Sequence, residues 1–169
     1  MEKDKYGDNF QAHLMDQYKL FVEMADRVSA RRGQANTFYI SLLSALVALL
    51  SLVIDKELFS GPSSVLLFLT SLIGMALCLT WHLNIKSYKQ LNGLKFKVIH
   101  EMEQSLPFPC YEREWAILKE KEKQQKPGYI RLTTVEKYIP LIFATPYIGL
   151  MVYTLLVFVG IVDNPAPTS

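Results

Sequence analysis

Apolar and polar positions along the chain alternate in blocks rather than residue by residue. Three long apolar runs stand out, Ala35–Ile54, Ser63–Ile85 and Tyr138–Val162, and none contains Asp, Glu, Lys or Arg. At 1.5 Å per residue, a run of about 20 residues crosses a hydrocarbon layer of about 30 Å. Each run is therefore predicted to be a transmembrane helix. The linker after the first run, Asp55 to Pro62, ends in Ser60-Gly61-Pro62, a turn signal, so the first two spans are expected to form a tight hairpin. In the third run Pro140 falls in the first turns, where a missing N–H costs little, whereas Pro146 is interior and predicts a kink near Ile142. Thr133-Thr134-Val135-Glu136 has the spacing of a capping box, which places the start of this helix there.

The polar blocks carry a different period. Phe10, Leu14, Tyr18, Phe21, Ala25 and Val28 recur every three or four residues, the stripe of an amphipathic helix, with Asp16, Lys19, Glu23, Asp26 and Arg27 mostly off it. This helix is expected to run straight towards the first span, with only Gly33 as an interruption. Beyond the second span Tyr88, Leu91, Leu94, Val98 and Met102 form a second stripe, and no breaker intervenes until Leu106-Pro107-Phe108-Pro109. A third helix, Tyr111 to Gln125, places Tyr111, Trp115 and Leu118 on one face. Its later turns, Lys119 to Lys123, alternate in charge and read as a solvated face. Lys126-Pro127-Gly128 is a turn signal. The expected class is all-α: an integral membrane protein with three transmembrane helices and a small cytosolic helical bundle. The divisions are 1–34 (cytosolic amphipathic helix), 35–85 (transmembrane hairpin), 86–134 (cytosolic helical segment), 135–162 (third span) and 163–169 (short external tail). A bundle this small buries little core, so its stripes point to partner subunits.

Charge placement sets the orientation. Of 18 Lys and Arg residues, only Lys56 lies in the hairpin linker; the rest precede the first span or lie between the second and third. By the positive-inside rule the N-terminus and the middle segment are cytosolic, and the linker and C-terminus external. Arg31, Arg32, Lys86 and Lys89 flank the inner ends of the first two spans, where topology determination and contact with anionic headgroups are expected, specific ligand recognition being the alternative. No cleavable signal peptide is visible before the first span. Cys78 lies at membrane depth and Cys110 in a cytosolic stretch, so both are expected to be free thiols.

Candidate chemistry is sparse. No Gly-rich phosphate loop, nucleophile elbow or His/Cys ligand spacing occurs, and His13, His82 and His100 are far apart. No catalytic, cofactor-binding or metal-binding residues are assigned, and neither enzyme activity, a cofactor nor a nucleic-acid partner is expected. Trp81-His82 reads as an interfacial anchor, with a proton-sensitive switch as the sharper alternative. Asn84 reads as a polar residue of the same interface, or else as a helix bridge or pore-lining group. Small residues recur at helical spacing: Ser41 and Ala45, Ser44 and Ala48, Thr70, Gly74 and Cys78, Thr145 and Gly149. Such rows let helices approach closely. Ser41, Ser44, Ser51, Thr70 and Ser71, with no intramembrane charge, would give any central opening an apolar and hydroxyl lining, and that absence of charge counts against an ion-coupled transporter.

The stretch Trp81 to Glu103, WHLNIKSYKQLNGLKFKVIHEME, resembles the RipA family of octameric bacterial membrane proteins. So do Leu106-Pro107, Tyr111-Glu112-Arg113-Glu114-Trp115, and Tyr18 through Asn36 with its Arg31-Arg32 and Ala35-Asn36 pairs; the likeness extends from about Tyr18 to Tyr153. The resemblance implies a homo-octamer in the bacterial cytoplasmic membrane. It supplies no catalytic residues. Two functions follow as expectations: a structural or channel-like membrane assembly, or a signalling or effector module whose cytosolic helices sense a partner or ligand.

Overall fold

A computed structural model describes residues 6–55, 63–123 and 135–162. Among them the secondary structure is helical: α1 (Phe10–Asp55), α2 (Ser63–Glu103), α3 (Cys110–Lys123) and α4 (Ile139–Phe158). Three of these, α1, α2 and α4, are long and apolar enough to cross a membrane. The first two are single helices of 46 and 41 residues, far longer than a span needs, because each continues from an apolar run into an amphipathic one. Gly33 does not interrupt α1, and no break separates Ile85 from the rest of α2. The hairpin linker, the Thr133 and Thr134 half of the expected capping box, and the C-terminal tail lie outside the described residues.

The chain divides into two units. One comprises residues 1–32 and 87–132, the other residues 33–86 and 133–169. In the first, α1 and α2 run antiparallel: Tyr18 meets Glu103, and Ser29 meets Asn92. The α1 stripe is turned inward as its spacing requires, with Ala25 and Val28 buried and Phe10, Leu14, Tyr18 and Phe21 half-buried. On α2 the most enclosed positions are instead Ile99 and Glu103, both fully buried, with Tyr88, Asn92 and Phe96 half-buried on the same face. Leu91 and Leu94, expected on the packed stripe, are 44% and 59% exposed. The physical reason is that Glu103, whose carboxylate is satisfied by three hydrogen bonds, can occupy the packed face, which turns Leu91 and Leu94 to the flank.

The second unit is built on Tyr39 and Leu43 of α1, Cys78, Trp81 and Ile85 of α2 and Tyr147 of α4. Of the small-residue rows, that of α2 is used within the chain: Thr70, Gly74 and Cys78 are all buried. A Cβ built on Gly74 would overlap the Tyr147 ring, so glycine is what lets α4 lie against α2 there. Ser41, Ser44, Ala45, Ala48, Thr145 and Gly149 face outward.

α4 continues through Pro146. Proline removes the amide that would bond the Ile142 carbonyl, and the Thr145 hydroxyl donates to that carbonyl instead, at 2.8 Å. The helix ends before the predicted Val162. Gly160, at φ +76°, closes it, with its N–H on the Val157 carbonyl and the Ile161 N–H on the Leu156 carbonyl. This is a Schellman motif, whose left-handed position favours glycine.

Candidate functional site

Two polar clusters stand out, one in each unit. In the membrane-type unit the centre is Trp81, which is 0% exposed. This corrects its reading as an interfacial anchor: its indole N–H donates to Asn36 Oδ1 at 2.9 Å rather than to water at a membrane surface. Tyr39 stacks on it with centroids 5.7 Å apart and planes 12° apart, and Phe143 meets it edge-on at 5.8 Å. Asn84 bridges helices by donating to the Tyr39 hydroxyl at 3.1 Å. His82 reaches the Lys137 carbonyl at 3.3 Å. A carbonyl only accepts, so His82 Nδ1 carries the proton in this contact. Tyr147, 1% exposed, donates to the Leu43 carbonyl at 3.0 Å. The buried hydroxyls bond their own helices, Thr70 to Leu66, Ser71 to Phe68 and Thr154 to Met151. Thr70 and Ser71 are thus occupied in the core of the subunit, leaving Ser41, Ser44 and Ser51 as the outward-facing hydroxyls of the expected lining set.

In the other unit the centre is Glu103, 1% exposed. Its Oε1 accepts from the Tyr18 hydroxyl at 3.0 Å and the Tyr111 amide at 2.9 Å, and its Oε2 from the Glu112 amide at 3.1 Å. The two amides open α3, so the carboxylate satisfies free donors at a helix N-terminus and faces the positive end of its dipole. Burial, and then the bond to Glu103, push the Tyr18 hydroxyl well above the usual tyrosine range. Burial and the nearby Asp26 raise Tyr111 as well. Sequence reasoning assigned Glu103 no role. The available signal was an acidic residue in helical register with Ile99 and Phe96, a few residues before a Pro-flanked helix start.

Among the described residues no three His, Cys, Asp or Glu side chains gather as a metal site would require. His13 contacts the Tyr6 hydroxyl at 2.7 Å, and His100 Nε2 is buried without a hydrogen-bond partner. Cys78 and Cys110 are free thiols, as expected. Arg31, Lys86 and Lys89 are exposed, as headgroup contact would need. A groove of about 250 Å3 opens between α1 and α2 in the Glu103 unit, lined by Tyr6, Phe10, His13, Leu14 and Gln17 and by Val98, Glu101, Met102 and Ser105.

Among the described residues the arrangement is mainly one of packing and hydrogen bonding between helices. The octameric membrane protein family model matches residues 15–156. The chain belongs to that family. The RipA-like resemblance of the Trp81 to Glu103 segment is consistent with the match, which covers both polar clusters. No curated protein and no solved structure matches the chain.

Proposed function

We propose that the protein is a homo-octameric subunit of a structural or channel-like assembly in the bacterial cytoplasmic membrane. The observation that carries this reading is the membership of an octameric membrane protein family in a chain with three span-length apolar helices. The outward faces of those helices support it: Phe38, Leu49, Leu79, Leu83 and Ile142 are all at least half exposed, as side chains that meet lipid or a neighbouring subunit would be. The bias of basic residues supports a cytosolic N-terminus, an external hairpin linker, a cytosolic middle segment and an external C-terminus. On that topology the Glu103 unit is the cytosolic bundle, and its basic neighbours meet anionic headgroups.

Native mass measurement in mild detergent and in lipid nanodiscs tests the assembly, with eight copies expected. A strictly monomeric particle in both media would sink it. Orientation is checked by replacing Cys78 and Cys110 and introducing single cysteines near Ser60 and Gln124. Near Ser60, a cysteine should react with an impermeant reagent in intact cells. Reaction only near Gln124 would invert the topology.

A second reading is a signalling or effector module, favoured by the groove between α1 and α2 and its mixed lining of aromatic, imidazole, aliphatic and carboxylate groups. A ligand or partner protein that protects this groove from labelling, in a particle without higher-order assembly, would favour it over the first.

A further inference from the structure

In the Glu103 unit the two flanks of the α1–α2 pair are not alike. α3 covers one: Tyr111 packs edge-on against Phe96 with centroids 5.5 Å apart, and Glu103 holds the first amides of α3. On the other flank two rows run side by side. The α1 row is His13, Gln17, Leu20 and Met24, spaced by four, three and four residues. The α2 row is Leu91, Leu94, Val98 and Met102, spaced by three, four and four. Each spacing keeps a row on one helix face. His13 and Gln17 line one groove with Val98 and Met102, so the two rows share a face. Leu20 is 54% exposed, Met24 38% and Leu94 59%.

Neither row contains an acidic residue, Lys or Arg; Lys95 reaches across to the Phe21 ring, 5.5 Å from its centroid, Glu101 borders the groove, and Lys97 and Arg27 stand beside the rows. Apolar and uncharged rows flanked by charged side chains are the composition of a protein interface. Hydrocarbon is a poor cover, because Lys89, Lys95 and Lys97 lie within a few residues of Leu91 and Leu94, and immersing them would be costly. A second copy of the chain fits better. Closing eight subunits around one axis needs two unlike faces on each, and the family is one of octamers.

We propose that the face formed by His13, Gln17, Leu20 and Met24 of α1 and Leu91, Leu94, Val98 and Met102 of α2 packs against a neighbouring copy of this chain. This rests on the oligomeric reading above and adds which surface makes the contact. The pattern explains why α2 carries its longest apolar row off the intrachain core. That row serves the next subunit, while the polar row of Asn92 and Glu103 serves its own.

The full-length protein in nanodiscs tests this through the double variant Leu91→Lys/Leu94→Lys. Both side chains are exposed in the subunit, so its helicity should be unchanged, while the assembled fraction should fall about tenfold or more. Met15→Lys, an exposed apolar position of α1 outside the two rows, should keep the wild-type mass. A second measurement does not depend on the variant's stability: a photoreactive side chain in place of Leu94 should yield a covalent dimer of this chain on denaturing gels. Adducts confined to lipid, to another protein, or to residues 1–5 or 124–134 of the same chain would overturn the proposal. So would a double variant that retains the wild-type mass. A wild-type monomer would instead sink the octameric reading itself, which separates the two failures.

Discussion

Glu103 shows how one side chain can organise a small helical unit. Its carboxylate is fully enclosed, yet both oxygens accept hydrogen bonds, from two amides and one hydroxyl. Charge-assisted bonds of this kind contribute about 1.5–3 kcal/mol. Glu103→Gln would turn an amide NH2 towards at least one backbone N–H, opposing two donors. We expect it to lower the thermal midpoint of the solubilised protein, and Glu103→Ala to do more, by leaving the α3 amides unpaired. Tyr18 adds a pH dependence of definite sign. Its hydroxyl titrates higher in the folded chain than the usual value near 10. The neutral form is the one that folding favours, so its contribution is full below pH about 10 and is lost as the pH rises through the folded value. Tyr18→Phe should remove that alkaline loss and leave the neutral-pH melting profile less changed than Glu103→Ala does. An alkaline limb of unaltered slope in Tyr18→Phe would assign the titration elsewhere.

Gly74 is the counterpart in the other unit. A methyl group there gains about 1 kcal/mol of helix propensity but must displace the buried Tyr147 ring. Overpacking of this kind typically costs about 1–3 kcal/mol, and moving the ring also threatens its bond to the Leu43 carbonyl. Gly74→Ala is therefore expected to be net destabilising in detergent unfolding. Gly149→Ala, on an open face of α4 with nothing within 4 Å, should be neutral or stabilising. Equal midpoints for the two variants would show that the close approach carries no energetic weight.

At the scale of elements, much was legible in the sequence, for one reason. A span of uncharged residues and a stripe at helical spacing are both consequences of burial that sequence displays directly. Hence three span-length helices, the inward α1 stripe and the run past Ile85 were expected, whereas Gly33, expected as an interruption, lies inside an unbroken α1. What was missed depends on partners in space. The spacing of Leu91 and Leu94 is helical whether they face their own core or a neighbour, so periodicity alone could not set the phase of α2. Trp81 beside His82 has the composition of an interfacial belt, and only the presence of Asn36 within 2.9 Å of the indole nitrogen makes it a core residue. Glu103 could not be assigned because its partners, Tyr18 and the start of α3, lie 85 and 8 residues away. Pro146 illustrates a local device that the sequence does carry, since Thr145 precedes it directly. Thr145→Val keeps the shape but leaves the Ile142 carbonyl without its hydroxyl donor. In an apolar surrounding that costs about 1–3 kcal/mol, read as a lower unfolding midpoint. Thr145→Ser should restore it. If Val and Ser behave alike, the hydroxyl is not what satisfies that carbonyl.

At the scale of the whole molecule, the octameric assembly proposed above would have to fill the space about its axis. A ring of spans encloses water, lipid or a dry seam. A wide aqueous path requires polar side chains along its length, whereas an apolar constriction excludes water by dewetting. The three apolar runs contain no Asp, Glu, Lys or Arg. Of the hydroxyls they do contain, Thr70 and Ser71 are buried in the subunit core and bonded to their own helices, which removes them from any lumen. Ser51 also bonds back, to the Val47 carbonyl at 3.1 Å. The remaining outward surface of the spans is mainly Leu, Ile, Val, Phe and Ala, with Thr37, Ser41, Ser44, Thr80 and Thr145 as small polar interruptions. Ions crossing such a surface would meet neither a charged ring nor a row of free carbonyls, and the cost of dehydrating them would go uncompensated. We therefore expect the resting assembly to be closed or lipid-filled and not to conduct constitutively. Planar-bilayer recordings of the purified oligomer should show no steady current above that of protein-free membranes. Steady, ion-selective current without any stimulus would overturn this expectation, and loss of that current on Ser41→Leu or Ser44→Leu would then place the path along the outward face of α1.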